Sequence, residues 1–88
     1  MVRLVLNALR LLWIEQHVSQ SKRRSEASDA DLSSVIQVLE RAIVASARDD
    51  EIARRIPPGI SRVATDSWSL DSDLTVAIVE IDQALRRA

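Results

Sequence analysis

Several residue types that define common protein classes are missing or scarce in this sequence. Its 88 residues include no cysteine, tyrosine or phenylalanine, and only one glycine and two prolines. Without cysteine the chain has no disulfide, no thiolate nucleophile and no thiolate metal ligand. Few glycines and prolines argue against a β-rich fold with many tight turns. These absences exclude the disulfide-rich class and favour a helical chain.

The charge is nearly balanced and gives little sign of a polyanionic partner. Residues 1–48 carry a net charge of +2 and residues 49–88 carry −3, so the whole chain is at −1. A dedicated nucleic-acid binder is normally far more basic. With 47% apolar residues, a chain of this length forms one core, and we expect a single helical domain over residues 1–88.

No signal peptide or membrane span is expected at the amino end. The apolar stretch over residues 4–14 is interrupted by Asn7 and Arg10, and no small-residue cleavage site follows it. It is also shorter than the roughly 20 residues that cross a bilayer. The sequence therefore predicts a cytoplasmic protein without a transmembrane segment.

The first periodic segment, residues 2–19, predicts a helix with an unusually wide apolar arc. Arg3, Arg10 and His17 are seven residues apart and form one narrow polar stripe. Almost all other residues between positions 4 and 13 are apolar. The arc then covers about two thirds of the helix, whereas a surface helix of a monomer needs little more than about 100°. This helix has two faces to bury.

The middle of the chain predicts an exposed connection followed by two helices. Residues 20–28 contain three serines and a basic triplet, which is typical of a solvated loop. Ser28 and Asp31 have the spacing of a capping box, and a helix over 30–48 follows. Asp49 is predicted to cap a short helix over 50–56, which the break at 57–59 (Pro-Pro-Gly) ends.

The last segment predicts a helix over 72–87, and Trp68 is expected to cover the core. Because residues 74–82 are rich in β-branched side chains, an α+β fold with a C-terminal hairpin between 60–65 and 74–82 is the alternative. The helical periodicity continues to Leu85 and favours the helix. The predicted fold class is all-α, a small antiparallel helical bundle of three main helices plus one short helix.

The second and last helices share a similar layout. The segment Asp29-Ala30-Asp31-Leu32-Ser33 matches Asp71-Ser72-Asp73-Leu74-Thr75, and apolar residues follow at the same spacings. Two good caps before two amphipathic helices explain this match more simply than a duplication.

Side chains that support catalysis are scarce. His17 is the only histidine, and without a second histidine or a cysteine it cannot anchor a usual zinc site. Asp29-Ala30-Asp31 and Asp71-Ser72-Asp73 begin like calcium loops, but Ser34 and Val76 stand where such loops need glycine. These acids fit helix caps better, so we predict no metal, no cofactor and no enzymatic activity.

The surplus apolar surface of the first helix predicts a non-catalytic protein–protein interaction module, an adaptor or regulator. A second copy of the chain, as in a homodimer, or a partner helix would cover that surface. The predicted interface residues are Val5, Leu9, Leu12 and Trp13 on the apolar face, with Arg3, Arg10 and His17 on its rim. The alternative is that the first helix lies centrally in the monomer, wrapped by the others.

A small DNA-binding regulator is the second hypothesis. The segment over residues 51–64 resembles a helix-turn-helix, in which an Ile-Ala pair precedes a Gly turn and a Ser-x-x-Val recognition helix. The resemblance implies nucleic acid as a partner, with Lys22, Arg23 and Arg24 contacting the phosphate backbone. Two prolines precede the glycine, and acidic residues including Asp66 flank the segment.

Overall fold

The computed structural model describes residues 1–23, 27–69 and 72–87, and its regular structure within them is helical. The five α-helices of these ranges are α1 (Val2–Gln16), α2 (Asp29–Val44), α3 (Asp49–Arg55), α4 (Arg62–Ser67) and α5 (Asp73–Arg87). Helix α1 packs against both α2 and α5, α3 packs against α2, and α4 packs against α5. The predicted all-α fold is confirmed, with α4 as a second short helix.

The alternative fold with a C-terminal hairpin is wrong. The proposed strand over 74–82 is helical, the one over 60–65 is a turn followed by α4, and no strand occurs in the residues that the structure describes. On α5 the residues Leu74, Ala77, Ile78 and Ile81 are all buried. Their helical spacing decides the local structure, because burying this stripe outweighs the β propensity of the branched side chains between them.

The core is a single cluster to which α1, α2, α3 and α5 contribute, together with Trp68. Helix α1 lies between α2 and α5 and therefore contributes two buried flanks. Trp68 is 4% exposed, as expected of a side chain over the core, and its indole N–H has no hydrogen-bond partner within the described ranges. The buried apolar residues are Val5, Ala8, Leu9, Leu12, Ala27, Leu32, Val35, Ile36, Leu39, Ala42, Ile52, Ile56, Trp68, Leu74, Ala77, Ile78 and Ile81.

The segment between α1 and α2 is partly buried, which corrects the prediction of an exposed connection. Arg23 is only 6% exposed, and Ala27 is fully buried. The Arg23 Nε donates to the carbonyls of Glu15 (2.9 Å) and Val18 (3.0 Å). Its Nη1 donates to the carbonyl of Ala27 (3.0 Å), and its Nη2 pairs with the Asp29 carboxylate (2.5 Å). Because the last carbonyls of a helix lack partners, this guanidinium satisfies the end of α1 and ties it to the start of α2.

Serine side chains cap the N-termini of the two long helices after α1. The Ser28 Oγ accepts the Asp31 N–H at 3.2 Å, which confirms the predicted cap of α2. The Ser72 Oγ accepts the Thr75 N–H at 3.1 Å in the same way, while Asp71 lies outside the described residues. Ser28 lies four residues before Leu32, where the apolar stripe of α2 begins, whereas Ser72 lies two residues before Leu74, where that of α5 begins. The two helices therefore carry their stripes at different distances from their caps.

The prediction that Asp49 caps the short helix is wrong. Helix α3 begins at Asp49 itself, and the Asp49 carboxylate accepts hydrogen bonds from the Val2 N–H (2.8 Å) and the Met1 ammonium (2.9 Å). It therefore caps α1, whose first N–H groups have no partner inside the helix. Those two donors hold the pKa of Asp49 below its usual value. At α3, Glu51 accepts the Ala47 N–H at 3.0 Å.

The predicted Pro-Pro-Gly break follows the end of α3, and a buried carboxylate holds it. Gly59 has a φ of 82°, in the left-handed region that favours glycine. Asp82, buried on α5, accepts the N–H of Gly59 (3.1 Å) and the N–H of Ser61 (2.8 Å). It also accepts the Ser61 hydroxyl. Helix α5 thereby fixes the turn that leads into α4.

Candidate interaction surface on the first helix

Three of the predicted interface residues lie inside the molecule. Val5, Leu9 and Leu12 belong to the buried core, with exposures of 0 to 2%. They cannot anchor a partner on this folded chain, because α1 packs against two helices and both flanks of its apolar arc are covered. This arrangement corresponds to the alternative in which the first helix is central in the monomer.

The edges of that apolar arc nevertheless remain outside. Leu6, Trp13 and Ile14 are 51%, 45% and 54% exposed, and Val2 is also exposed. These four are among six large apolar side chains exposed in the described residues. Val2, Leu6 and Trp13 are spaced by four and seven residues and share one stripe, here called the α1 ridge. Of the predicted anchors, Trp13 alone is therefore on the surface.

The predicted rim residues are all at the surface. Arg3, Arg10 and His17 are exposed and run along α1 between the α1 ridge and Ile14. The Arg10 Nη2 donates to the Asn7 side-chain carbonyl at 3.2 Å. The His17 Nδ1 lies 2.7 Å from the Trp13 carbonyl oxygen, which fixes the ring at the end of the helix. The polar stripe thus separates two apolar edges.

An open groove follows the contact between α1 and α5, on the Ile14 side of the polar stripe. One half, of about 270 Å³, is lined by Asn7, Arg10, Leu11, Asp73, Val76, Ala77 and Glu80. The other half, of about 440 Å³, is lined by Leu11, Ile14, Glu15, Ser69, Ser72, Asp73 and Leu74. Leu11 and Asp73 line both halves, and the two together are here called the α1–α5 groove. Val76 is 47% exposed within it.

The sequence predicted neither Ile14 nor Val76 as interface residues. Both stand at the edge of an apolar stripe, next to exposed charged residues. The centre of such a stripe faces the core of the same chain, so its edges are the residues that remain for a partner. That rule identifies Ile14 from the sequence, whereas Val76 becomes notable only once α5 is placed beside α1.

The structure provides little of the predicted phosphate-binding cluster. Lys22 is exposed, Arg23 is buried and bound to carbonyls, and Arg24 lies outside the described residues. In the segment that resembles a helix-turn-helix, Arg54 pairs with Asp50 at 2.7 Å. The helix in the place of the recognition helix, α4, has six residues.

Three acidic side chains at the starts of α2 and α3 have basic or backbone partners. Asp49 caps α1, Asp29 pairs with Arg23, and Asp50 pairs with Arg48 at 2.6 Å. The Arg48 and Arg54 guanidiniums lower the pKa of Asp50. Over residues 1–23, 27–69 and 72–87, no three acidic or histidine side chains come close enough to hold a metal ion.

None of the helices in the described ranges has both the length and the apolar character needed to cross a membrane. Comparison of the chain with protein-family models, with curated proteins and with solved structures finds no match. The surface of α1 is therefore the feature from which a function can be inferred.

Proposed function

We propose that this protein is a non-catalytic interaction module, an adaptor or regulator that self-associates or binds a partner helix through the outer surface of α1. The observation that carries the proposal is the concentration of exposed apolar side chains on this one helix. Trp13 stands out because its exposure is 45%, against 4% for Trp68. Tryptophan is the residue type that most often dominates protein–protein binding.

The free energy gained when a partner covers these side chains is that of a moderate interaction. Leu6, Trp13 and Ile14 each leave about half of the side chain in water. Since full burial of a large apolar side chain contributes about 1.5–3 kcal/mol, covering each remaining half contributes about 1 kcal/mol. The exposed Arg3 and Arg10 beside the α1 ridge would select among partners more than they would add affinity.

Substitution of the α1 ridge tests the proposal. We expect the wild type to bind an apolar-surface dye and to gain mass with concentration in light scattering. The double variant Leu6→Gln with Trp13→Gln should lose most of the dye signal at unchanged unfolding free energy, because both side chains are exposed. Val44→Gln is the matched control, since Val44 is 86% exposed on α2.

Acrylamide quenching of the intrinsic fluorescence gives a second readout. In dilute protein the quencher should reach Trp13 but not the buried Trp68. The reachable fraction should fall when a partner or a second copy covers α1. A strict monomer that binds no dye overturns the proposal, and so does equal dye binding by the ridge variant and the wild type.

A further inference from the structure

The α1–α5 groove carries opposite charges on its two walls. Arg10 stands on the α1 wall, and Asp73 and Glu80 stand on the α5 wall, all three exposed. Within the residues that the structure describes, none of the three forms an ion pair. Beside them, Ile14 and Val76 are each about half exposed. The groove therefore presents apolar contact area together with charges of both signs.

We propose that this groove is the contact between two copies of the chain, related by a two-fold axis that runs along the groove, parallel to α1 and α5. The inference rests on the proposed function, because it takes α1 as the binding element. It assigns self-association to the edge of α1 that contains Ile14. The α1 ridge, on the other side of the polar stripe, stays open for a partner helix.

The direction of the two helices determines which residues would meet. Asn7 and Arg10 line the same half of the groove as Val76 and Glu80, whereas Ile14 lines the half with Leu74. Helices α1 and α5 are therefore antiparallel. A two-fold axis along the groove exchanges the two walls and leaves each residue at its own level. Arg10 of one copy then faces Val76 and Glu80 of the second copy.

The charges select this axis over the other two-fold arrangement. An axis that crosses the groove at the level of Arg10 would place α1 on α1 and α5 on α5, so that Arg10 would approach Arg10 and Glu80 would approach Glu80. Like charges in contact disfavour that arrangement, while the axis along the groove opposes unlike charges twice. Glu15, the only acid of α1, lies away from Glu80 in the half of the groove that Asp73 also lines. The axis along the groove brings these two acids near each other, but it also places Arg10 opposite both Glu80 and Asp73.

The size of the face predicts a weak dimer. A helix of 15 residues is about 22 Å long, and two neighbouring helices with their side chains present a face about 20 Å wide. The area given by this length and width is less than the roughly 800 Å² per partner of a standard interface. We therefore expect a dissociation constant of about 100 μM. The association has to be measured at high protein concentration and low salt.

Charge reversal tests the axis. The single variants Arg10→Glu and Glu80→Lys should each raise the dissociation constant about tenfold in sedimentation equilibrium, because each creates two like-charge contacts in the dimer. The double variant with both changes should return to the wild-type value, since each contact again joins unlike charges. The differences should shrink at high salt. Arg41→Glu and Glu40→Lys, both on the exposed side of α2, are the matched controls and should change nothing.

Each remaining outcome overturns the inference. Single reversals that leave the dissociation constant unchanged, or a double variant that stays as weak as the singles, exclude the axis along the groove. If the wild type remains monomeric at a protein concentration about ten times the expected dissociation constant, a second copy does not bind in the groove. The unfolding free energy of every variant is measured in parallel, so that loss of folding is not mistaken for loss of contact. Dye binding that depends on Leu6 and Trp13 would still support the proposed function.

Discussion

At the scale of single residues, Arg23 connects the end of α1 to the start of α2. One guanidinium donates to the carbonyls of Glu15, Val18 and Ala27 and pairs with Asp29. Its planar fork supplies several donors at once, which a lysine ammonium at the end of a flexible stem does not reproduce. Arg23 therefore determines how α1 ends and how α2 starts.

We expect Arg23→Lys to lower the free energy of unfolding by about 2 kcal/mol, because buried carbonyls lose charge-assisted hydrogen bonds. Urea unfolding followed by circular dichroism measures the change. Lys22→Ala is the control, since Lys22 is exposed beside it and should change the free energy by less than about 0.5 kcal/mol. Equal effects of the two substitutions would contradict the role given to Arg23.

In the sequence, Lys22, Arg23 and Arg24 form one basic cluster in a segment without apolar periodicity. Nothing in that run distinguishes a solvated arginine from one that turns inward to unpaired carbonyls. By contrast, Ser28 was identifiable as a cap, since its partner is only three residues away. Short-range hydrogen bonds can be predicted from spacing, and long-range ones cannot.

At the scale of elements, the width of the apolar arc of α1 predicted how much of the helix is buried. It did not predict what covers the arc. The arc of α1 correctly indicated two buried faces, yet α2 and α5 cover both within one chain. Val5, Leu9 and Leu12 sit at the centre of the arc and are buried, while Leu6, Trp13 and Ile14 sit at its edges and are exposed. The periodicity of a helix tells how much of it is apolar but not how many neighbours it has.

The link between α3 and the start of α1 predicts a pH dependence. The pKa of Asp49 is lowered in the folded protein by the Met1 ammonium and the Val2 N–H. A lowered folded-state pKa stabilises above the unfolded value of about 4, and that contribution is lost as pH falls through the folded value. The wild type should therefore exceed Asp49→Asn in urea midpoint at neutral pH, and the difference should vanish in acid.

Asp66→Asn provides the comparison for that experiment, because Asp66 is exposed and has no ion pair within the described ranges. Its midpoint should follow that of the wild type at every pH. A difference between wild type and Asp49→Asn that persists unchanged at low pH would contradict the capping of α1 by the Asp49 carboxylate.

At the scale of the whole molecule, Asp82 joins distant parts of the chain. It is the one buried acid in the described residues, and its three hydrogen bonds all come from Gly59 and Ser61. Asp82→Ala leaves the part-buried N–H groups of Gly59 and Ser61 without their acceptor and should cost about 3 kcal/mol. Asp82→Asn keeps the shape and one acceptor oxygen, so it should cost less.

Urea unfolding of these variants beside Glu80→Gln checks the prediction. Glu80 is exposed two residues earlier on the same helix, and its substitution should stay within about 0.5 kcal/mol of the wild type. An Asp82→Ala protein as stable as Glu80→Gln would show that water satisfies the turn equally well.

The overall architecture was predictable because it depends on patterns that a single helix carries within itself. The stripe of Leu74, Ala77 and Ile78 and the break at Gly59 are both readable without knowing any neighbour. The α1–α5 groove was not predictable, since it exists only where two helices meet. Its charges come from segments more than fifty residues apart in the sequence.

The position of Asp82 also sets an order for folding on the ribosome. Ser61 is synthesised 21 residues before the carboxylate that holds it, so α4 and the turn before it can settle only after α5 has emerged. The α1–α2 pair has no such delay, because Arg23 ties the two helices together from the loop between them. Folding during translation should therefore proceed from the amino end, with the middle of the chain completed last.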